Sequence, residues 1–389
     1  MISFDDTEKA FISKSDSDLI RSYRLFKIIG NPTIVKLGAF FTPLALNLHL
    51  PIKGIIRKTI YKQFVGGENI EDCNKTIEEL GKFNIGTILD YSVEGKESET
   101  DFEACAKETI ETIHRAKNDE HIPFCVFKVT GLARFGLLEK VSAKQNLNAE
   151  EKNEWEQVRQ RVHNICEQGF KNSTPIFIDA EESWIQQAID DLVNENKEKF
   201  NKEKAIIYNT YQLYRHDRFV YLEQCIKHAK ENNYHIGAKL VRGAYMEKER
   251  KRAVEMGYPS PIQSNKNESD KDYNLALELC IENLAYVSVC AGTHNEQSSL
   301  ILVDLMAKNN IAKDDKRVYF SQLLGMSDHI SYNLSVAGYN VAKYVPYGPV
   351  KEVLPYLLRR AKENTSVKGQ TGRELSLIIK EKARRKVKK

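Results

Sequence analysis

Two adjacent arginines, Arg359 and Arg360, lie in the run Tyr356-Leu-Leu-Arg-Arg-Ala-Lys-Glu-Asn364. On a helix, Tyr356, Arg359, Arg360 and Glu363 stand at i, i+3, i+4 and i+7 and share one stripe, while Leu357, Leu358 and Ala361 lie elsewhere on the wheel. Two guanidinium forks beside an aromatic ring suit a small carboxylate on an apolar body: the forks hold the oxygens and the ring covers the carbon skeleton. Taken alone, the same stripe also describes the solvated face of an amphipathic helix. What surrounds it has to decide.

Further polar residues end short apolar runs rich in β-formers. They are Lys128, Asp179 in Ile178-Asp-Ala-Glu-Glu182, Asn209, the series Lys239-Leu-Val-Arg-Gly-Ala-Tyr245, Gly292-Thr-His-Asn295, Leu323 in Ser321-Gln-Leu-Leu-Gly-Met326, and Tyr344. Each has a plain structural explanation. Lys128 could pair with Asp179. Thr293, His294 and Asn295 read as a helix start. Arg242 with Gly243 could be a surface turn, although the Gly-Ala step also lets a phosphate approach the backbone. Strand alternation sends Lys239 and Val241 to one face and Leu240 to the other, which predicts an inward lysine in an apolar interior. Together, these ends describe a basic cavity for two anionic guests, one small and one phosphate-bearing. Metal binding is not expected, since the nine histidines are scattered and form no HxH or HxxxH at a strand end or helix face. No GxSxG points to a serine hydrolase.

The elements that must position these residues alternate. Apolar runs at Ile85 to Tyr91, Phe124 to Thr130, Pro175 to Asp179, Ala205 to Tyr211, Ile236 to Tyr245, Ala285 to Ala291, Val318 to Leu323 and Tyr339 to Tyr344 are separated by helix-like stretches. Eight strands in strict alternation predict an α/β fold, a (β/α)8 TIM-like barrel, more than an open doubly wound sheet. No GxGxxG follows the first strand. Before the barrel, residues 1–66 read as an arm of three helices closed by Gly66-Gly67. The barrel spans 67–370 with a charged helical insertion at about 140–172, and 371–389 is a basic tail read as solubilising. The last helix, with Arg359 and Arg360, is expected over the barrel mouth.

With 389 residues, 41% hydrophobic and 29% charged, the chain can bury a sizeable core, and a net charge of +4 is too mild to imply nucleic acid. Seven scattered cysteines with no CxxC suggest reduced thiols and neither a disulfide framework nor a zinc site. The acidic N-terminus does not read as a signal peptide. The apolar stretch Val35 to Ile56 is broken by Lys36, Pro43, His49, Pro51 and Lys53, so it lacks a clean membrane span. Its helix near Phe40, Phe41, Leu44 and Leu46 is expected to pack on the main domain, with contact at a membrane surface as the sharper alternative. A cytoplasmic protein results, with peripheral contact at the inner face of the membrane as an option.

The motifs Leu240-Val-Arg-Gly-Ala-Tyr245 and Tyr356-Leu-Leu-Arg-Arg-Ala-Lys-Glu-Asn364 resemble those of the proline dehydrogenases in their single-function form. Ile178-Asp-Ala-Glu-Glu182, Gly292-Thr-His-Asn295 and Leu324-Gly-Met326 follow in the family's order. The resemblance implies a flavin-dependent (β/α)8 enzyme that oxidises L-proline to Δ1-pyrroline-5-carboxylate by hydride transfer to FAD, the first step of proline catabolism. Electrons would pass to a quinone, and product to a separate pyrroline-5-carboxylate dehydrogenase. It implies that Lys128, Arg359 and Arg360 bind the proline carboxylate and that Leu323, Tyr344 and Tyr356 enclose the ring. Asp179 would orient neighbouring groups and Lys239 would lie near flavin N5, these two and Lys128 being the catalytic set. Ile178, Asn209, Arg242, Gly243, Ala244, Lys266, Thr293, His294 and Glu363 would contact FAD. The family carries Arg in other branches where this chain has Lys239, and Gln where it has Asn209. Two readings from other classes compete: a Schiff-base lyase using Lys128 or Lys239, and a barrel that only binds.

Overall fold

In the computed structural model the eight apolar runs form eight strands: β1 Ile85–Tyr91, β2 Phe124–Lys128, β3 Ile176–Asp179, β4 Ile207–Gln212, β5 Ile236–Val241, β6 Val287–Gly292, β7 Val318–Leu323 and β8 Val341–Tyr347. They close into a barrel in sequence order with parallel pairing, the fold class expected from the alternation. The structure describes residues 2–48, 51–92, 97–366 and 370–386, apart from the side chains of residues 43, 44, 46, 47, 363–366, 370 and 371.

The strand that falls furthest short of its apolar pattern is β5. β5 stops at Val241, not Tyr245, because Gly243 takes φ +138 and a Cβ there would meet the Tyr214 ring at 2.3 Å. Only glycine accepts both the backbone angle and the approach. Just before the turn, the Arg242 carbonyl still accepts the Tyr214 N–H at 2.8 Å.

Two compact units make up the chain: Gly95–Ser321, and Met1–Glu94 together with Gln322–Lys389. In the first, Phe124, Phe177, Tyr208 and Tyr319 from β2, β3, β4 and β7 form an aromatic layer. Phe124 stacks on Phe177 at 4.4 Å and meets Tyr319 edge-on at 4.8 Å. Such pairs contribute about 0.5–1.5 kcal/mol each beyond their burial. Between β2 and β3 a long helix spans Ala149–Lys171, opened by an Asn148 capping box with Glu151.

In the second unit, residues from both chain ends share one apolar core. Leu19, Phe26 and Phe64 pack with Val353, Leu357, Leu377 and Ile378. Gly66 and Gly67 are tied to β8 and the residue after it: Gly66 N–H donates to Pro346 O at 2.9 Å and Gly348 N–H to Gly67 O at 3.0 Å. The basic segment also differs from a loose tail. A helix spans Gln370–Arg384, buries Leu377 and Ile378, and ties Arg384 and Arg385 to the buried Glu381. Amphipathic spacing there outweighs the charge density. The arm's Pro32–Asn47 helix packs on the Leu354–Ser366 helix but leaves its aromatic pair uncovered. Among its described side chains only Val35 is buried, while Phe40 and Phe41 are exposed; Leu44 and Leu46 lie outside the described side chains.

Candidate active site

Three strand ends of the Gly95–Ser321 unit converge on one carboxylate. Asp179, the last residue of β3, accepts from Lys239 Nζ at 2.5 Å and lies 3.5 Å from Lys128 Nζ at the end of β2. Lys239 and Asp179 are only 6% and 9% exposed, so this pairing is not a surface accident. Phe177 precedes Asp179 by two residues on the same face, and the Lys239 ammonium stands 5.6 Å from its ring. The inward lysine is thus where alternation put it. The Lys239 side chain is thus held between the Asp179 carboxylate and the aromatic layer.

Arg242, just past β5, organises a second basic centre. Its guanidinium donates to Asp270 at 2.6 Å, to Thr293 Oγ1 at 2.9 Å and to Ser298 Oγ at 2.9 Å, and lies 4.4 Å from the Tyr273 ring centroid. Lys266, mostly exposed, pairs with the same Asp270. The Asp270 carboxyl is held below its usual range: these two cations and their hydrogen bonds outweigh its burial. Thr293 and His294 lead into the Glu296–Lys308 helix, whose N-cap is Asn295, and Lys266 begins the Lys266–Glu282 helix, whose N-cap is Asn265. An arginine, two helix starts and a glycine turn are donors that suit phosphate oxygens.

In the other unit, the Leu354–Ser366 helix buries Tyr356, Leu357, Arg360 and Ala361, and half-buries Leu358 and Arg359. Arg360, 8% exposed with its guanidinium 5.2 Å from the Tyr356 ring, does not belong to a solvated face. Tyr344 on β8 accepts, through its carbonyl, the Leu324 N–H at 2.8 Å, which fixes the Leu323 segment to that strand. Beside it, Lys343 Nζ donates to Met326 O at 2.8 Å and pairs with Asp328 at 2.7 Å. Burial opposes the Asp328 charge, but Lys343 and Lys14 prevail and hold its pKa at about 2. The Glu363 side chain lies outside the described residues.

Residues 73–373 match the sequence profile of the family described as Proline dehydrogenase. The chain belongs to the proline dehydrogenase family. Among its relatives is "Proline dehydrogenase 1, mitochondrial" of Dictyostelium discoideum, 32% identical over 98% of this chain and 74% of that protein. Another is "Carbapenem antibiotics biosynthesis protein CarD" of Pectobacterium carotovorum, 33% identical over 83% of this chain and 84% of the relative. Among solved structures, proline utilization A from Bdellovibrio bacteriovorus superposes with a TM-score of 0.73 at 20% identity. That likeness covers 92% of this chain, which spans 38% of the longer protein.

One residue expected at the cofactor by resemblance to the proline dehydrogenases is turned away. Asn209 donates to Asp190 Oδ1 on the Ser183–Phe200 helix at 2.9 Å, and its Oδ1 accepts the Thr210 N–H. Tyr208 joins the aromatic layer, so period 2 sends Asn209 to the helix side and Thr210 and Gln212 to the other. Ile178 has its carbonyl taken by Thr210 Oγ1 at 2.8 Å. Gln212 and Glu181 were given no role from sequence. Glu181 binds Thr130 through N–H and hydroxyl, its carbonyl accepts from Gln212 Nε2 at 2.6 Å, and its N–H donates to Gln186. Burial raises the Glu181 pKa to about 7, Glu182 adding to the effect and Thr130 and Lys128 opposing it. Alternation carried the signal for Gln212; nothing local distinguished Glu181 from a solvated acid. Among the described residues there is no metal-binding cluster and no helix long and apolar enough to cross a membrane.

Proposed function

We propose that this chain oxidises L-proline to Δ1-pyrroline-5-carboxylate with FAD as hydride acceptor and passes the electrons to a quinone. The observation that carries this reading is the Lys128–Asp179–Lys239 cluster on β2, β3 and β5, with Asp179 and Lys239 buried, within the region that matches the family. Lys128, Arg359 and Arg360 bind the substrate carboxylate as charge-assisted donors. Leu323, Tyr344 and Tyr356 cover the pyrrolidine ring. Asp179 orients Lys239 and Lys128.

The donors present fit FAD on an observation of this chain's own geometry. The backbone at Gly243 admits no side chain, and Arg242 with Thr293 and the starts of two helices supply hydrogen-bond donors for a pyrophosphate. Arg242, Gly243, Ala244, Thr293 and His294 would hold it, and the resemblance to the family adds Lys266, Ile178 and Glu363. When bound, FAD supplies the two-electron acceptor for the hydride leaving proline C5. Lys239 stabilises negative charge that develops beside it. The carboxylate clamp holds the ring in one orientation, which makes the transfer effectively unimolecular. The substrate amine must be unprotonated to supply the electron push, so turnover rises with pH without a strong protein base.

A Schiff-base lyase is less well supported. Lys239 Nζ is held by the Asp179 carboxylate at 2.5 Å, so it is not presented to the carbonyl carbon that such chemistry must attack. Product passes to a separate pyrroline-5-carboxylate dehydrogenase. The test is Arg359→Ala and Arg360→Ala assayed with a soluble dye acceptor. Each should raise KM for proline roughly tenfold or more, the loss of a charge-assisted hydrogen bond. Unchanged proline kinetics in both variants would sink the assignment.

A further inference from the structure

Leu323 ends β7, and the chain then turns through Leu324, Gly325, Met326 and Ser327 into the Asp328–Val336 helix. Two residues of this turn are left-handed, Gly325 at φ +75 and Ser327 at φ +51. A serine adopts that angle at a cost, so its surroundings must hold it there. Three side chains from distant parts of the same unit reach the turn. Gln63 Nε2, from the arm, donates to Gly325 O at 2.9 Å, and Gln63 Oε1 accepts from Ser22 Oγ at 3.2 Å. A Cβ on residue 325 would meet the Gln63 carbonyl oxygen at 2.0 Å, so the arm and the turn also touch backbone to backbone. Lys343 Nζ, from β8, donates to Met326 O at 2.8 Å. Glu374, from the Gln370–Arg384 helix, accepts the Ser327 N–H. Gln63, Lys343 and Glu374 are all buried, which strengthens these bonds and makes each costly to lose. Leu323 itself, half-buried, packs on the apolar cluster that contains Met326 and Tyr356.

We propose that Gln63 and Glu374 are positioning residues for proline: they fix the turn that sets Leu323, and with it the closeness of fit over the pyrrolidine ring. The inference rests on the proposed function, in which Leu323 covers that ring. Both residues act through the backbone of the turn and not on the substrate. Lys343 is set apart because it also pairs with the buried Asp328 at 2.7 Å, so its loss would strand a charge in the core. Leu323 covers the ring before and during hydride transfer alike, so a displaced turn weakens binding more than it slows the chemical step. The arm and the C-terminal helix, remote from β7 in sequence, thereby become parts of the proline site.

Steady-state kinetics with a soluble dye acceptor, together with hydrogen exchange at the amides of residues 324–327, test this. Gln63→Met and Glu374→Ala each remove one bond to the turn. Both should raise KM for proline about three- to tenfold while kcat stays within about twofold of the parent, and both should speed exchange in the turn. Glu374→Gln keeps an acceptor for the Ser327 N–H and should restore both readouts. Leu377→Ala, which truncates a core residue of the same helix, should lower the melting temperature and leave KM unchanged. The proposal is overturned if Gln63→Met and Glu374→Ala keep the parent KM, if Leu377→Ala raises it as much as they do, or if Glu374→Gln raises it as much as Glu374→Ala. Should Glu374→Ala fail to fold, Gln63→Met against Leu377→Ala decides. Faster exchange with unchanged proline kinetics counts against the positioning role alone, whereas a parent protein that does not oxidise proline counts against the proposed function.

Discussion

At the scale of single residues, burial decides which charges matter. Glu181 is fully enclosed, and its pKa is pushed from 4.5 to about 7. Between those values the folded chain keeps a proton that the unfolded chain has released, so stability falls as pH rises through this window and levels off above it. The size of this linkage is about 3 kcal/mol. Glu181→Gln should flatten it, as urea unfolding at a series of pH values would show; an unaltered slope would mean the carboxyl is ionised in the fold. Tyr344, buried to 6% exposure on β8, bears on substrate choice. Its ring is expected to crowd a hydroxyl on C4 of proline, so Tyr344→Ser should raise hydroxyproline turnover relative to proline. No gain in that ratio contradicts the packing argument.

At the scale of elements, the position of Lys239 was legible because period 2 in an apolar strand leaves an inward polar residue nowhere else to point. The same rule, applied along β4, would have turned Asn209 away from the cofactor and put Gln212 on the inner face. Arg360 was not legible from its helix alone, since a solvated stripe and a buried one have the same spacing. Its burial comes from tertiary packing that also buries Tyr356 and Leu357. The end of β5 was misread for a related reason: hydrophobic pattern continues through Ala244 and Tyr245, but Gly243 at φ +138 breaks the strand. Gly243→Ala should cost roughly 1–3 kcal/mol in strain and displace Tyr214. The expected outcome is a lower melting temperature and a smaller share of flavin retained on purification. Parent-like flavin content would show that the turn is not part of the cofactor's seat.

At the scale of the molecule, the eight-strand barrel was readable because β and α runs alternate without exception, whereas the joining of the two chain ends was not. Local sequence marks 371–389 as basic, but only the folded chain shows Leu377 and Ile378 in one core with Leu19 and Phe26. Membership of the proline dehydrogenase family rests on residues 73–373 and on relatives that cover nearly the whole chain. The most direct test is the visible spectrum of the purified protein before and after L-proline is added without oxygen. The account predicts a yellow protein whose flavin band is bleached by proline. A bound flavin that proline leaves oxidised, or a protein that cannot be loaded with FAD, would contradict it.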